Sequence, residues 1–203
     1  MPYSNFTLKK VQQNFGIEII ETNNLFAFAE SKPISAHLQE TLDDNVSLAI
    51  SINTEKARSE LIIAPVLIEL RKVFHKKISV FSGIELTVDK EKDLTGSCDF
   101  IISQSPEQLF LKSPVITVVE AKNENIMSGL GQCAAEMIAV RLFNEQEKTQ
   151  LDTIYGVVTS GNIWKFLKLE NNTLSIDMDD YGIKDIGQIL GVLYAMIDKL
   201  FVR

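Results

Sequence analysis

The chain is short of the residues on which several kinds of chemistry depend. Cys98 and Cys133 are the whole cysteine supply, too few for a disulfide framework and without the paired spacing of a zinc site. Both are expected to be small buried residues, although each adjoins a polar position of interest, Asp99 or Gln132. The two histidines, His37 and His75, stand alone in sequence, which argues against zinc hydrolase and serine hydrolase readings. Long apolar runs are also missing: stretches such as Leu61 to Ile68 fall well short of the roughly 20 residues that a membrane span requires. Met1 to Lys10 has no apolar stretch led by positive charge, so no secretory signal is expected and a cytoplasmic location follows. No repeat, low-complexity stretch or Pro/Gly-rich linker divides the 203 residues, and the expectation is a single domain over 1–203.

What is present suits a globular protein, with 45% hydrophobic and 23% charged residues. The net charge of −7 weighs against a strongly basic face of the kind that displaces counterions from a phosphate backbone. Lys9, Lys10, Arg71, Lys72, Lys76 and Lys77 are the candidates for a local positive surface, against the plainer reading that they are solvated faces of ordinary helices.

Apolar spacing predicts a helix over residues 34 to 51, with Ser35 as cap and Leu38, Leu42, Val46 and Ala49 on one face. A second helix is predicted over 54 to 75 from Thr54, with a kink or a break at Pro65. Beyond Lys77 the bias turns to β-branched and aromatic residues, and strands are predicted near 78 to 88, 96 to 103 and 114 to 121. Val115 to Val119 is nearly all β-branched, which suits a central strand covered on both faces. A helix over 126 to 146 follows, whose Gly129, Gly131, Ala134 and Ala135 would permit close approach to the sheet. Strands at 153 to 159, 163 to 169 and 173 to 177 and a helix over 183 to 201 complete the chain. The fold class is α/β or α+β, a mixed sheet flanked by helices. The first fifty residues are the least defined by pattern.

Chemistry is most concentrated around Asp99 and Glu120-Ala121-Lys122. A Glu-x-Lys triplet arises by chance roughly once in a chain of this size, so its placement is what matters. Glu120 and Lys122 lie where an apolar strand runs out into polar sequence, and alternation points both side chains to one face. The carboxyl end of a central strand is a usual position for a ligand site in open α/β sheets. Asp99 sits within another apolar strand, where an unpaired acid is costly to bury. If the two strands pair, Asp99 and Glu120 approach as an oxygen-ligand pair suited to magnesium or manganese.

Asp99 followed after about twenty residues by Glu120-Ala121-Lys122 on the next apolar strand resembles the PD-(D/E)XK nuclease superfamily, which includes restriction endonucleases. The family's usual proline-aspartate is Cys98-Asp99 here. Glu60 matches its upstream helical acid, with Glu69 as the other available glutamate, and Gln132 matches its frequent downstream glutamine. Val157 to Phe166 resembles the closing strand pair of the restriction-enzyme subunit branch, so the likeness spans about residues 55 to 170. The resemblance implies a restriction-endonuclease-like sheet and a Mg2+ or Mn2+ held by Glu60, Asp99, Glu120 and the carbonyl of Ala121. It further implies that Lys122 serves the attacking water, that Gln132 is an accessory residue, and that the substrate is a DNA phosphodiester. Glu136, one helical turn beyond Gln132, could share its face. Bland alternatives stand beside these roles: a structural ion pair, a helix-surface amide at Gln132, and packing rather than base stacking for Trp164. Two other functions remain open, a catalytically silent nuclease-fold module for nucleic-acid binding or assembly, and a small-molecule or protein-binding domain. Cleavage of both strands would favour a homodimer, and the terminal apolar helix fits either an interface or a core.

Overall fold

Side-chain caps fix where the helices begin. In the computed structural model, which describes residues 3 to 123 and 125 to 198, Thr7 accepts from the Lys10 N–H ahead of α1 (Leu8–Phe15). Ser35 does the same for Leu38 ahead of α2 (Ala36–Ile52), and Thr54 for Ala57 ahead of α3 (Glu55–Arg58). From α3 the helical path continues without a break through a π turn, Ser59–Ile63, into α4 (Ala64–Val73). Pro65 explains the wide turn: its ring crowds the carbonyl four residues back and offers that carbonyl no N–H. That carbonyl, of Leu61, accepts instead from Asn45 Nδ2 at 3.1 Å. The helix predicted over 54 to 75 therefore runs unbroken from Glu55 to Val73, with a π turn just ahead of Pro65 in place of a break.

Among the described residues eight strands form one mixed sheet: β1 (Glu18–Thr22), β2 (Ser79–Glu85), β3 (Ser97–Ser103), β4 (Val115–Ala121), β5 (Thr153–Thr159), β6 (Ile163–Glu170), β7 (Thr173–Asp177) and the short β8 (Tyr181–Gly182). Their order is β1-β7-β6-β5-β4-β3-β2, with β8 paired to β6. β2, β3 and β4 are an antiparallel meander. β4 and β5 are parallel, joined by a crossover through α5 (Ile126–Gln146). All seven residues of β4 are buried, as its run of β-branched residues predicts.

Each face of the sheet carries its own core. On one side Leu38 of α2, Ile62 of the π turn, Leu67 of α4 and Leu193 of α6 (Ile186–Asp198) pack on Val119 and Phe166. On the other, Val11 of α1 and Met137 and Ile138 of α5 pack on Val118 and Leu167. The buried apolar stripe of α6 is thus core in its own chain; Leu200, included in the predicted helix, lies outside the described residues. The same layering separates the six basic residues considered as one surface. Lys9 and Lys10 stand on the α1 side, and Arg71, Lys72, Lys76 and Lys77 on or just after α4, across the sheet.

Two further expectations change. Gly131 makes its close approach to the N-terminal segment, since a Cβ there would lie 2.4 Å from the Phe6 carbonyl oxygen and 2.5 Å from Thr7 Cα. Only Gly129 of the pair faces the sheet. Helix α5, at 21 residues, is long and apolar enough by composition to cross a bilayer, but most of it is buried between β4, β5 and the N-terminal segment. Cys98 and Cys133 are free and buried, and desolvation pushes both thiols up, which leaves them unreactive. Trp164 is fully buried and donates its indole N–H to the Gly161 carbonyl at 3.0 Å, a packing residue with no face open for a base.

Candidate active site

The register of β3 against β4 decides the geometry. Phe100 pairs with Val119 and Ile101 with Val118, so one step further along the two strands Asp99 comes close enough to Glu120 for its charge to be felt there. Asp99 Oδ2 accepts from the Ala121 N–H at 2.8 Å, which ties the half-buried aspartate to the end of β4. On the other flank Gly83 of edge strand β2 stands opposite Asp99 with φ 63°, a left-handed conformation that glycine adopts without strain. Next to it, Ser82 of β2 lines the same cleft as the aspartate.

Glu120 and Lys122 leave the end of β4 on the same face, as alternation requires, and form an ion pair through Oε1 and Nζ. Glu120 is 1% exposed and Lys122 19%. The space for the lysine comes from α5: a Cβ at Gly129 would be 2.7 Å from Val158 Cγ1 and 3.0 Å from Lys122 Cε. Gln132, one turn further along α5, receives a hydrogen bond from Lys122 Nζ at 3.3 Å. Its own Nε2 donates to Glu136 Oε1 at 3.1 Å. Glu136 is fully buried, and its carboxyl group meets that of Glu120.

Two acids this deep cannot both be charged. Burial, then the Glu120 carboxylate, push Glu136 well above the usual carboxylate range, so it keeps its proton and donates it to Glu120. The second oxygens of Glu120 and Glu136 are buried with no other hydrogen-bond partner, which fits a proton shared between them. Glu120 itself is pushed up to about 7 by burial and by the negative charge of Asp99, against the pull of Lys122. Burial works to lower Lys122, but the Glu120 carboxylate outweighs it and holds the ammonium above its ordinary range.

The open side is a cleft of about 250 Å³ where Asp99 and Ala121 of the sheet face Glu55, Ser59 and Glu60 of the helical path. Arg58 sets this wall in place. Its buried guanidinium donates to Asn53 Oδ1 at 3.0 Å, to Asn123 Oδ1 at 3.1 Å and to the Ser160 carbonyl at 2.9 Å. One side chain thereby joins the turn before α3, the residue after Lys122 and the β5–β6 turn. A larger hollow of about 530 Å³, lined by Arg141, Asn144, Gln150 and Asn172, lies at the other end of β4 and brings together none of these residues.

Of the residues read from sequence, Asp99, Glu120, Ala121, Lys122 and Gln132 come together. Glu60 lines the same cleft, exposed and ion-paired to Lys56 at 3.0 Å. Glu69 sits elsewhere: it accepts from the Ser35 N–H at 2.9 Å and hydroxyl at 3.0 Å at the start of α2. Burial raises that carboxyl, but these bonds and Lys72 outweigh it and hold it below its usual range. Glu55, whose charge is felt at Lys122, and Arg58 were not anticipated; the Thr54 cap in front of them was the available signal. Among the described residues, no three His, Cys, Asp or Glu side chains stand close enough to hold a metal ion as they are. Neither a family model nor a curated protein matches the chain.

Proposed function

We propose that this chain is a metal-dependent nuclease of the restriction-endonuclease-like class, hydrolysing a DNA phosphodiester. The observation that carries the reading is that Glu120, Lys122 and Gln132 are joined by one ion pair and one hydrogen bond beside Asp99, which with Ala121 opens onto a cleft. The order helix, three-stranded meander, crossover helix and parallel strand also supports it.

The donor set fits a hard divalent cation. Two carboxylates from neighbouring strands and a cleft rimmed by Glu55 and Glu60, with Lys56 the one cation among its lining residues, offer oxygen donors of the kind Mg2+ or Mn2+ takes. Asp99 and Glu120, with the Ala121 carbonyl, would hold it, and Glu60 would complete the set from across the cleft. When bound, the ion supplies Lewis-acid polarisation of the phosphodiester and eases deprotonation of the attacking water. Asp99 is held for this by the Ala121 N–H, which fixes one oxygen and leaves the other free to bind. Lys122, charged and supported by Glu120 and Gln132, orients the water and offsets charge that grows on the phosphate. Burial of Glu120 keeps this end of the strand dry.

The test is incubation of the protein with plasmid and with single-stranded DNA, plus Mg2+ or Mn2+, alongside Asp99→Ala and Lys122→Ala. Cleavage by the wild type that both variants lose by a hundredfold or more is expected. Cleavage that persists in both would sink the assignment. One observation favours a second reading: Lys122 is locked to Glu120 and, among the described residues, no three acids are placed to hold a metal ion as they stand, the state of a silent nuclease-fold module that binds nucleic acid or a partner. That reading predicts DNA retention without cutting.

A further inference from the structure

Fully buried carboxyls in an otherwise apolar helix need a reason, and Glu136 is the only acid within the buried stretch of α5. Its surroundings are Cys133 and Gln132 on the helix, Tyr3 and Cys98 opposite, and the Glu120 carboxyl. Its bond to Gln132 supplies a reason. A glutamine amide has a donor end and an acceptor end, and nothing in the side chain itself chooses between them. Here Nε2 is claimed by Glu136 Oε1 at 3.1 Å. The carbonyl Oε1 is therefore the end turned toward Lys122 Nζ, at 3.3 Å. Without Glu136 the amide is free to turn its NH2 toward the ammonium, where two donors would face each other. The ammonium would then lose one of its two side-chain acceptors and be left on Glu120 alone.

We propose that Glu136 is a positioning residue that acts through the oriented amide of Gln132 to hold the Lys122 ammonium in its working place. It touches no substrate and is separated from the cleft by Gln132 and Glu120. The catalytic meaning of the proposal rests on the nuclease reading; the linkage from Glu136 to Lys122 does not. Sequence offered only the four-residue spacing from Gln132, which any helix surface supplies.

The experiment is a double-substitution cycle on the full chain with Gln132→Leu, Glu136→Met and both together, plus Glu136→Gln as the conservative replacement. Lys122 is read by mass spectrometry after brief labelling with a small amine-acylating reagent at fixed pH, without metal or DNA. Glu136→Gln keeps an acceptor for Gln132 and is expected to label like the wild type. Gln132→Leu and Glu136→Met should each raise Lys122 labelling about threefold or more, and the double variant should go no further than either. Equal labelling in wild type and Glu136→Met overturns the proposal, as does a double variant whose increase is the product of the two. Circular dichroism checks that each variant is folded. If Glu136→Met is not, unchanged labelling in Gln132→Leu alone overturns the linkage, and increased labelling matched by normal labelling in Glu136→Gln supports it. Where the wild type cleaves DNA, Gln132→Leu and Glu136→Met should each lower kcat about tenfold with KM within twofold. A wild type that cuts nothing removes the nuclease reading, while the labelling pattern still decides whether Glu136 positions Lys122.

Discussion

Replacing Glu120 by glutamine keeps the shape of the side chain and removes the charge that its surroundings resist. In the folded chain this carboxyl titrates at about 7 against an ordinary 4.5, because it is buried beside Asp99. A folded-state value above the unfolded one means that the native protein binds a proton the unfolded chain has already released. Stability is then fullest below about 4.5 and is lost as pH rises to about 7. The gap corresponds to about 3 kcal/mol at roughly 1.4 kcal/mol for each pH unit. Glutamine escapes that loss, and the pull of Lys122 on the carboxylate is already contained in the value of about 7. The net expectation for Glu120→Gln at pH 8 is a gain of about 1–3 kcal/mol, or roughly 2–10 °C in Tm for a chain of this size. Thermal unfolding followed by circular dichroism, with a chelator present, at pH 5 and pH 8 measures it. The wild type and variant should converge at pH 5 and separate at pH 8. A variant less stable than wild type at pH 8, or a difference that does not change with pH, refutes the electrostatic description of the site.

Two substitutions away from Asp99 and Glu120 test the packing that builds the site. Gly129→Ala places a Cβ against Val158 and the Lys122 stem and should cost about 1–3 kcal/mol by overpacking, with metal-dependent cleavage falling further than stability explains. Urea melts and cleavage rates measured together check this. Asn144→Ala removes a buried side chain that accepts from the Val115 N–H at 2.8 Å and donates to the Val115 carbonyl at 2.7 Å. Two stranded main-chain groups at the start of β4 should cost about 2–5 kcal/mol in the same urea assay.

How far sequence reaches is clear from particular elements. α5 runs over the predicted 126 to 146, because a 21-residue apolar stretch with an Asn125 cap leaves little choice. β4 is equally plain: five consecutive apolar or β-branched residues have only the centre of a sheet to occupy. α1 and β1 left no such mark. α1 buries Val11 alone, and β1 is an exposed edge strand held by parallel pairing to β7, some 155 residues away (Glu18 to Thr173); long-range pairing has no local signature. At the site, Asp99, Glu120, Lys122 and Gln132 were readable because strand register and helix period turn spacing into adjacency. Arg58 was not, since its three partners come from segments that only the fold brings together. The burial of Glu136 was hidden for the same reason: it depends on Tyr3 and the N-terminal segment closing over α5.

The central claim is that Asp99 and Glu120 form a divalent-cation site. Calorimetric titration of Mn2+ into the wild-type protein and into Asp99→Ala at pH 7.5 tests it most directly. Saturable binding near one ion per chain in the wild type, weakened at least tenfold in the variant, about 1.4 kcal/mol, is the predicted result. Equal binding by both proteins, or no binding by the wild type, would contradict it.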